Sequence, residues 1–339
     1  MKLVPPIVSL SLGLASMLAA DPAAKPSPKT EVTEAPAPFV YDGNPERLKY
    51  ALPIPPDENV AYGAHPMQVI YFWRAKSEKP TPLLFYVHGG GWSGGDRSVV
   101  RSLLKDALDS GISVASIEYR KIKDSTADGL IPPVKGPMID SARALQFCRS
   151  KAKEWNIDKT KVAAAGGSAG GCTSLWLAFH DDLADPDSAD PIARESTRPT
   201  CAAVSSAQTT LDPKQMREWT PNSAYGAHAF GIAWDKSKKQ SSFDLFYAEH
   251  ERLLPWIKEY SPYALVTSED PPVALFYTTP PNLGQNEKDP THTANFGVKL
   301  KEHCDELNVP CELIYPGAPN VVHATINDYI KAVLKPDAK

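Results

Sequence analysis

The strongest constraint on this chain is Gly166-Gly167-Ser168-Ala169-Gly170-Gly171, which directly follows the apolar run Val162-Ala163-Ala164-Ala165. A G-x-S-x-G pattern at the end of a predicted strand, leading into a predicted helix from Cys172 to His180, demands a sharp strand-to-helix turn. Such a turn lifts the serine hydroxyl clear of the sheet. It leaves almost no room for side chains on either side of the serine. Gly166 and Gly170 meet that demand, because glycine tolerates crowded backbone geometry without steric penalty. Read alone, the six residues also fit a glycine-rich loop with an incidental serine, and the remainder of the chain argues against that reading.

A second motif lies upstream. Leu83-Leu84-Phe85-Tyr86-Val87 reads as a fully buried strand of a parallel sheet. It runs into His88-Gly89-Gly90-Gly91-Trp92. Three successive glycines leave backbone N–H groups pointing into open space, which is what a tetrahedral oxyanion requires. Removing one such donor costs about 3–4 kcal/mol of transition-state stabilisation. A lone H-G-G-G would be a flexible turn, but its combination with a downstream G-x-S-x-G carries far more information.

Further strands are predicted near 67–73, 112–118, 161–165, 202–206, 273–278 and 311–315, with helices between them. In the helix predicted over 138–153, Met138, Ala142, Leu145 and Cys148 recur at three and four residues and make one apolar stripe. Alternation of strand and helix predicts an α/β fold with a mostly parallel sheet covered on both faces. From about 209 to 270 no strand is evident, and aromatic residues such as Trp219, Tyr225, Phe230, Trp234, Phe243 and Phe246 cluster. They either pack this insertion onto the core or line a pocket. Trp92 is a further pocket candidate.

At the N-terminus, Lys2 precedes an apolar stretch of small residues that ends Met17-Leu18-Ala19-Ala20. Residues 1–20 therefore read as a signal peptide, which places the mature chain in the periplasm or outside the cell. Pro5, Pro6, Ser9 and Ser11 make the segment a poor spanning helix, so no stable membrane insertion is expected after cleavage. Residues 21–38 read as a disordered Pro-rich linker, and 39–337 as one folded domain with its insertion at about 209–270. The net charge of −4, without any basic block, disfavours nucleic acid as a partner. Nothing in the sequence defines an oligomeric state. The five cysteines cannot all pair within a monomer; Cys304 and Cys311, the pair nearest in sequence, are candidates for a disulfide.

The two glycine motifs, together with Ile117-Glu118-Tyr119-Arg120 and Ser261-Pro262-Tyr263 followed by Pro271-Pro272-Val273, resemble the α/β-hydrolase superfamily, and within it the HGGG-bearing esterase and lipase branch. The resemblance covers roughly residues 60–335. It implies an α/β-hydrolase fold with a cap formed by the insertion, and a catalytic triad in the chain order serine, acid, histidine. Ser168 is then the nucleophile. His323 stands at the family's position for the base, between the last predicted strand and the final helix. For the acid, the usual G-x-x-D pattern is missing after the strand at 273–278. Asp289, just before the next helix, matches the register, with Glu287 as runner-up. The oxyanion hole falls to the backbone N–H groups of Gly90, Gly91 and Ala169.

His88 is expected to prop the oxyanion loop. His292, beside the proposed acid, is a candidate to support it or to line the pocket. His65, His180, His228 and His250 lie far apart, and no HExxH or CxxC occurs, so no metal and no organic cofactor is expected. What the resemblance implies is a serine carboxylic-ester hydrolase (EC 3.1.1 type). Its expected substrate is a small-molecule or oligosaccharide ester, with short-chain acyl groups or acetyl- or feruloyl-type groups on polysaccharide. The alternatives are a serine peptidase or amidase of the same superfamily and a non-catalytic esterase-like binding protein.

Overall fold

The structure is a computed structural model that describes residues 51–233 and 241–335. The predicted signal peptide, the predicted linker and Trp234 lie outside the described residues. Eight strands form one sheet: β1 (Glu58–Ala61), β2 (Val69–Trp73), β3 (Thr81–Val87), β4 (Ser113–Ile117), β5 (Ile157–Gly167), β6 (Cys201–Ser205), β7 (Val273–Phe276) and β8 (Cys311–Ile314). Their spatial order is β1-β2-β4-β3-β5-β6-β7-β8. The β1–β2 and β2–β4 pairs are antiparallel, and every other pair is parallel. This is the α/β-hydrolase sheet.

Eleven helices are described: α1 (Arg101–Asp109), α2 (Ile122–Ala127), α3 (Lys135–Ser150), α4 (Ala152–Trp155), α5 (Ala169–Phe179), α6 (Pro213–Trp219), α7 (Ser242–Ala248), α8 (His250–Tyr260), α9 (Pro262–Leu265), α10 (Asn295–Glu306) and α11 (Ile326–Leu334). None of them is long and apolar enough to cross a membrane.

The strand side chains alternate between two apolar layers. Leu83, Phe85, Val162 and Ala164 belong to the larger one, with α3, α5 and α10. Leu84, Tyr86, Ala163 and Ala165 belong to the other, with α1 and α11. Each fully buried Leu or Phe here contributes about 1.5–3 kcal/mol. The edge strand β1 escapes sequence reading because Glu58-Asn59-Val60-Ala61 is only four residues long and half polar, too short an apolar run to mark it.

Among the described residues, the segment between β6 and β7 contains α6 to α9 and no strand. Phe230, Phe243, Phe246 and Tyr260 are buried within the larger core layer, as is Trp219. These rings pack the insertion down and do not line an open pocket. Trp92 is likewise fully buried, and its indole N–H donates to Thr173 Oγ1 at 3.0 Å. It is a core residue, where the sequence offered it as a pocket wall. All five cysteines are free thiols. Cys304 and Cys311 do meet, and their mutual hydrogen bond, followed by burial, pushes the Cys311 thiol up.

Candidate active site

Ser168 caps the N-terminus of α5 with φ 54° and ψ −126°. A non-glycine residue held at positive φ is strained, and such strain persists only where the surroundings impose it. Here they do. The Ser168 N–H donates to the Ser205 carbonyl at 2.9 Å, and the Cys172 N–H returns to the Ser168 carbonyl at 2.9 Å. The flanking glycines are required by space, not by their own backbone angles. A Cβ on Gly166 would lie 2.4 Å from the Val87 carbonyl oxygen, and one on Gly170 would lie 2.1 Å from the same atom. The turn is thus wedged against the end of β3. The N–H of Ala169, first in α5, belongs to the helix end that has no intrahelical acceptor, where the helix dipole is positive.

The glycine loop runs beside this turn. Gly89 passes so near that a Cβ there would sit 2.6 Å from the Gly167 carbonyl oxygen and 3.3 Å from Ser168 Cβ. Gly90 and Gly91 have φ 108° and 59°, conformations that glycine adopts freely. The turn is closed by Ser93 and Gly94 N–H groups, both donating to the Gly90 carbonyl at 3.0 and 2.9 Å. Two histidines brace it. His88, fully buried, has Nε2 at 2.8 Å from Glu118 Oε1 and Nδ1 at 2.7 Å from the Gly89 carbonyl. His228 Nε2–H donates to the Gly91 carbonyl at 2.9 Å. Burial lowers the His228 pKa, and that hydrogen bond only partly opposes the shift.

The histidine that meets Ser168 is not the expected His323 but His292. The Ser168 hydroxyl donates to His292 Nε2 at 2.9 Å. His292 Nδ1–H donates to Asp289 Oδ2 at 2.8 Å, which fixes the tautomer that leaves Nε2 as the acceptor. Partial burial would raise the Asp289 carboxyl, but its hydrogen bond to and attraction for His292, with the Thr291 and His292 N–H groups, bring it below its ordinary value. The relay is open to water: the side chains of His292 and Asp289 are 37% and 62% exposed. Asp289 and His292 lie three residues apart in the loop between β7 and α10, so one short turn presents both.

His323 is engaged elsewhere. Its Nδ1 lies 2.9 Å from Glu312 Oε1, and its ring packs edge-on against Tyr329. The sheet register explains the separation. Glu312 pairs with Ala274, which pairs with Ala203, which pairs with Ala165. Glu312 is therefore three strands from β5, about 14 Å at ordinary strand spacing, on the α11 side and below the edge where Ser168 sits. The runner-up acid, Glu287, is held through its backbone by Asn222 and does not reach His292.

Three amide side chains escaped sequence reading. Gln208 Nε2 donates to the Thr291 carbonyl at 2.6 Å. Asn222 accepts from the Glu287 N–H at 3.0 Å and donates to the Glu287 carbonyl at 2.8 Å. Asn295 donates to the Trp219 carbonyl and accepts from the Asn282 N–H. Together they bind the loop that carries Asp289 and His292 to the segment that follows β6. No sequence pattern marks them, because each works through a backbone group distant in the chain. Among the described residues no group of His, Cys, Asp and Glu could hold a metal ion.

A parallel sheet with a strained serine at the head of α5, a glycine loop beside it and a histidine–carboxylate pair against it defines an α/β-hydrolase. The chain belongs to the BD-FAE family, which it matches over residues 70–287. That span holds Ser168 and the glycine loop and ends just before Asp289 and His292. Among curated relatives, the chain is 31% identical to the versiconal hemiacetal acetate esterase of Dothistroma septosporum, over 41% of each chain. It spans less than half the length of the first curated relatives it matches. Among solved structures, it is similar to an acetyl ester-xyloside bifunctional hydrolase of Caldicellulosiruptor lactoaceticus (TM-score 0.58, 19% identity, 78% of this chain and 86% of that one). It is also similar to a thermophilic esterase of Thermogutta terrifontis (TM-score 0.59, 20% identity, 85% of this chain and 98% of that one). At these identities the structural likeness speaks for the fold.

Proposed function

We propose that this protein is a serine carboxylic-ester hydrolase acting through an acyl-enzyme. The observation that carries the reading is the unbroken chain Asp289–His292–Ser168, with both hydrogen bonds under 3 Å, beside the glycine loop. His292 Nε2 takes the Ser168 proton as Oγ attacks the ester carbonyl. Asp289 holds the ring in the required tautomer and stabilises it when charged. The developing oxyanion is received by backbone N–H groups at Gly90, Gly91 and Ala169. The protonated His292 then gives its proton to the leaving alcohol. Water, activated by the same nitrogen, releases the acid. This sequence needs neither metal nor organic cofactor.

For the substrate we propose short-chain acyl esters, or acetyl- or feruloyl-type esters on polysaccharide. Support comes from similarity to the versiconal hemiacetal acetate esterase. The run of small apolar residues behind Lys2 supports export of the enzyme to meet such esters outside the cytoplasm.

The test is hydrolysis of p-nitrophenyl esters, from acetate to octanoate, by the wild type beside Ser168→Ala. Turnover that falls off with acyl length and vanishes in the variant is expected. A folded wild type that hydrolyses none of the series and resists a fluorophosphonate probe would overturn the reading.

A further inference from the structure

We infer that Gln208 is a positioning residue of the proton relay, holding the turn that carries Asp289 and His292 in the register that Ser168 needs. The inference rests on the ester-hydrolase reading, with His292 as base.

The relay has an unusual weakness. Both its base and its acid sit on one loop turn, outside any helix or strand, and their side chains are 37% and 62% exposed. Neither burial nor a regular element fixes their aim. Asn222 grips the loop before the acid, at Glu287, and Asn295, which follows the base at the start of α10, ties the loop to the Trp219 carbonyl. Between acid and base, the side-chain donor from outside the loop is Gln208, through the Thr291 carbonyl at 2.6 Å. That carbonyl belongs to the peptide unit whose N–H is the amide of His292, so Gln208 orients the peptide from which the imidazole hangs.

The same segment also holds the nucleophile. The Ser205 carbonyl accepts the Ser168 N–H at 2.9 Å, and Gln208 follows three residues later. Between them, Ser206 adopts φ 47° and donates its N–H to the Phe276 carbonyl. Residues 205–208 thus tie the serine turn and the histidine turn to one piece of backbone. Packing does not account for a glutamine here. The residue is fully buried, and its Oε1 has no hydrogen-bond partner among the described residues, an arrangement that disfavours folding. An apolar side chain of the same length would avoid that penalty but would release Thr291.

The experiment compares Gln208→Met and Gln208→Glu with the wild type, Ser168→Ala and His292→Ala. Steady-state kinetics on p-nitrophenyl acetate and thermal melting are recorded for each. Both Gln208 variants keep the chain length; Met removes the donor, and Glu sets a carboxylate against the Thr291 carbonyl. The expected result is a kcat lowered on the order of 10- to 100-fold by misplacement of the base, with KM within about twofold, in whichever variant melts near the wild type. A folded Gln208 variant with wild-type kcat, or one whose loss lies in KM alone, overturns the inference while His292→Ala remains inactive. Full turnover by His292→Ala would instead remove His292 as base, and the role of Gln208 with it.

Discussion

His292 Nε2 lies 2.9 Å from Ser168 Oγ, across 124 residues of chain. His323, at the position the superfamily resemblance implies for the base, is paired with Glu312. The two histidines therefore make opposite predictions. His292→Ala should lower kcat by about 10⁴- to 10⁶-fold, the scale of losing the base of a triad. His323→Ala should stay within a few-fold of the wild type. Steady-state kinetics of both variants on one ester decides, and the reverse ranking would reject the relay described above.

Asp289→Asn should lower kcat by about 10²- to 10⁴-fold, because the wrong His292 tautomer is no longer penalised. Stability supplies a second readout. The folded carboxyl titrates below its ordinary value, so its contribution is present above the unfolded pKa, about 3.9. It is lost as the pH falls through the lowered folded value. The stability gap between wild type and Asp289→Asn should accordingly narrow on acidification from pH 7 to pH 3. Chemical denaturation at the two pH values measures it, and a gap that widens toward acid would contradict the assignment.

His228 carries the opposite charge type with the same sign of pH effect. Burial depresses its pKa, so the neutral ring is the form that the fold accepts. Stability should fall as the pH drops from about 6.5, the unfolded value, through the lower folded one. The substitution His228→Gln keeps a donor for the Gly91 carbonyl but removes the titrating ring. The melting temperature of this variant should fall less than that of the wild type between pH 7 and pH 5. Equal losses would show that the acid sensitivity arises elsewhere.

Gly170→Ala tests the wedge between the serine turn and β3. Its methyl would arrive 2.1 Å from the Val87 carbonyl oxygen and 2.6 Å from that of His88, and backbone cannot step aside as a side chain can. We expect destabilisation of about 3 kcal/mol or more. Gly94→Ala, whose methyl would meet nothing nearer than 3.8 Å, should cost less than about 1 kcal/mol. Urea denaturation of the pair reads the difference.

Sequence alone determined the parts of this protein that are local. The turn at Ser168 and the loop at Gly89–Gly91 are each written in consecutive residues, since backbone crowding at a strand end dictates glycine. The parallel part of the sheet was equally legible, because fully buried strands read as apolar runs such as Leu83–Val87. Asp289 was legible in part, as a carboxylate before α10.

Tertiary structure alone decided which imidazole faces the serine. Two histidines, His292 and His323, lie in loops after late strands, and the sequence does not decide which one the loops carry to the edge of β5. The nearest sequence signal was the spacing Asp289-Pro290-Thr291-His292, which lets one turn present acid and base together. The outcome also depends on Gln208, Asn222 and Asn295 gripping distant backbone carbonyls and amides, and on the register that sets Glu312 three strands away to capture His323. Trp92 teaches the same lesson in the core. Its place beside the glycine loop was plain in the chain, whereas its burial against Thr173 of α5 follows from how α5 packs beneath that loop.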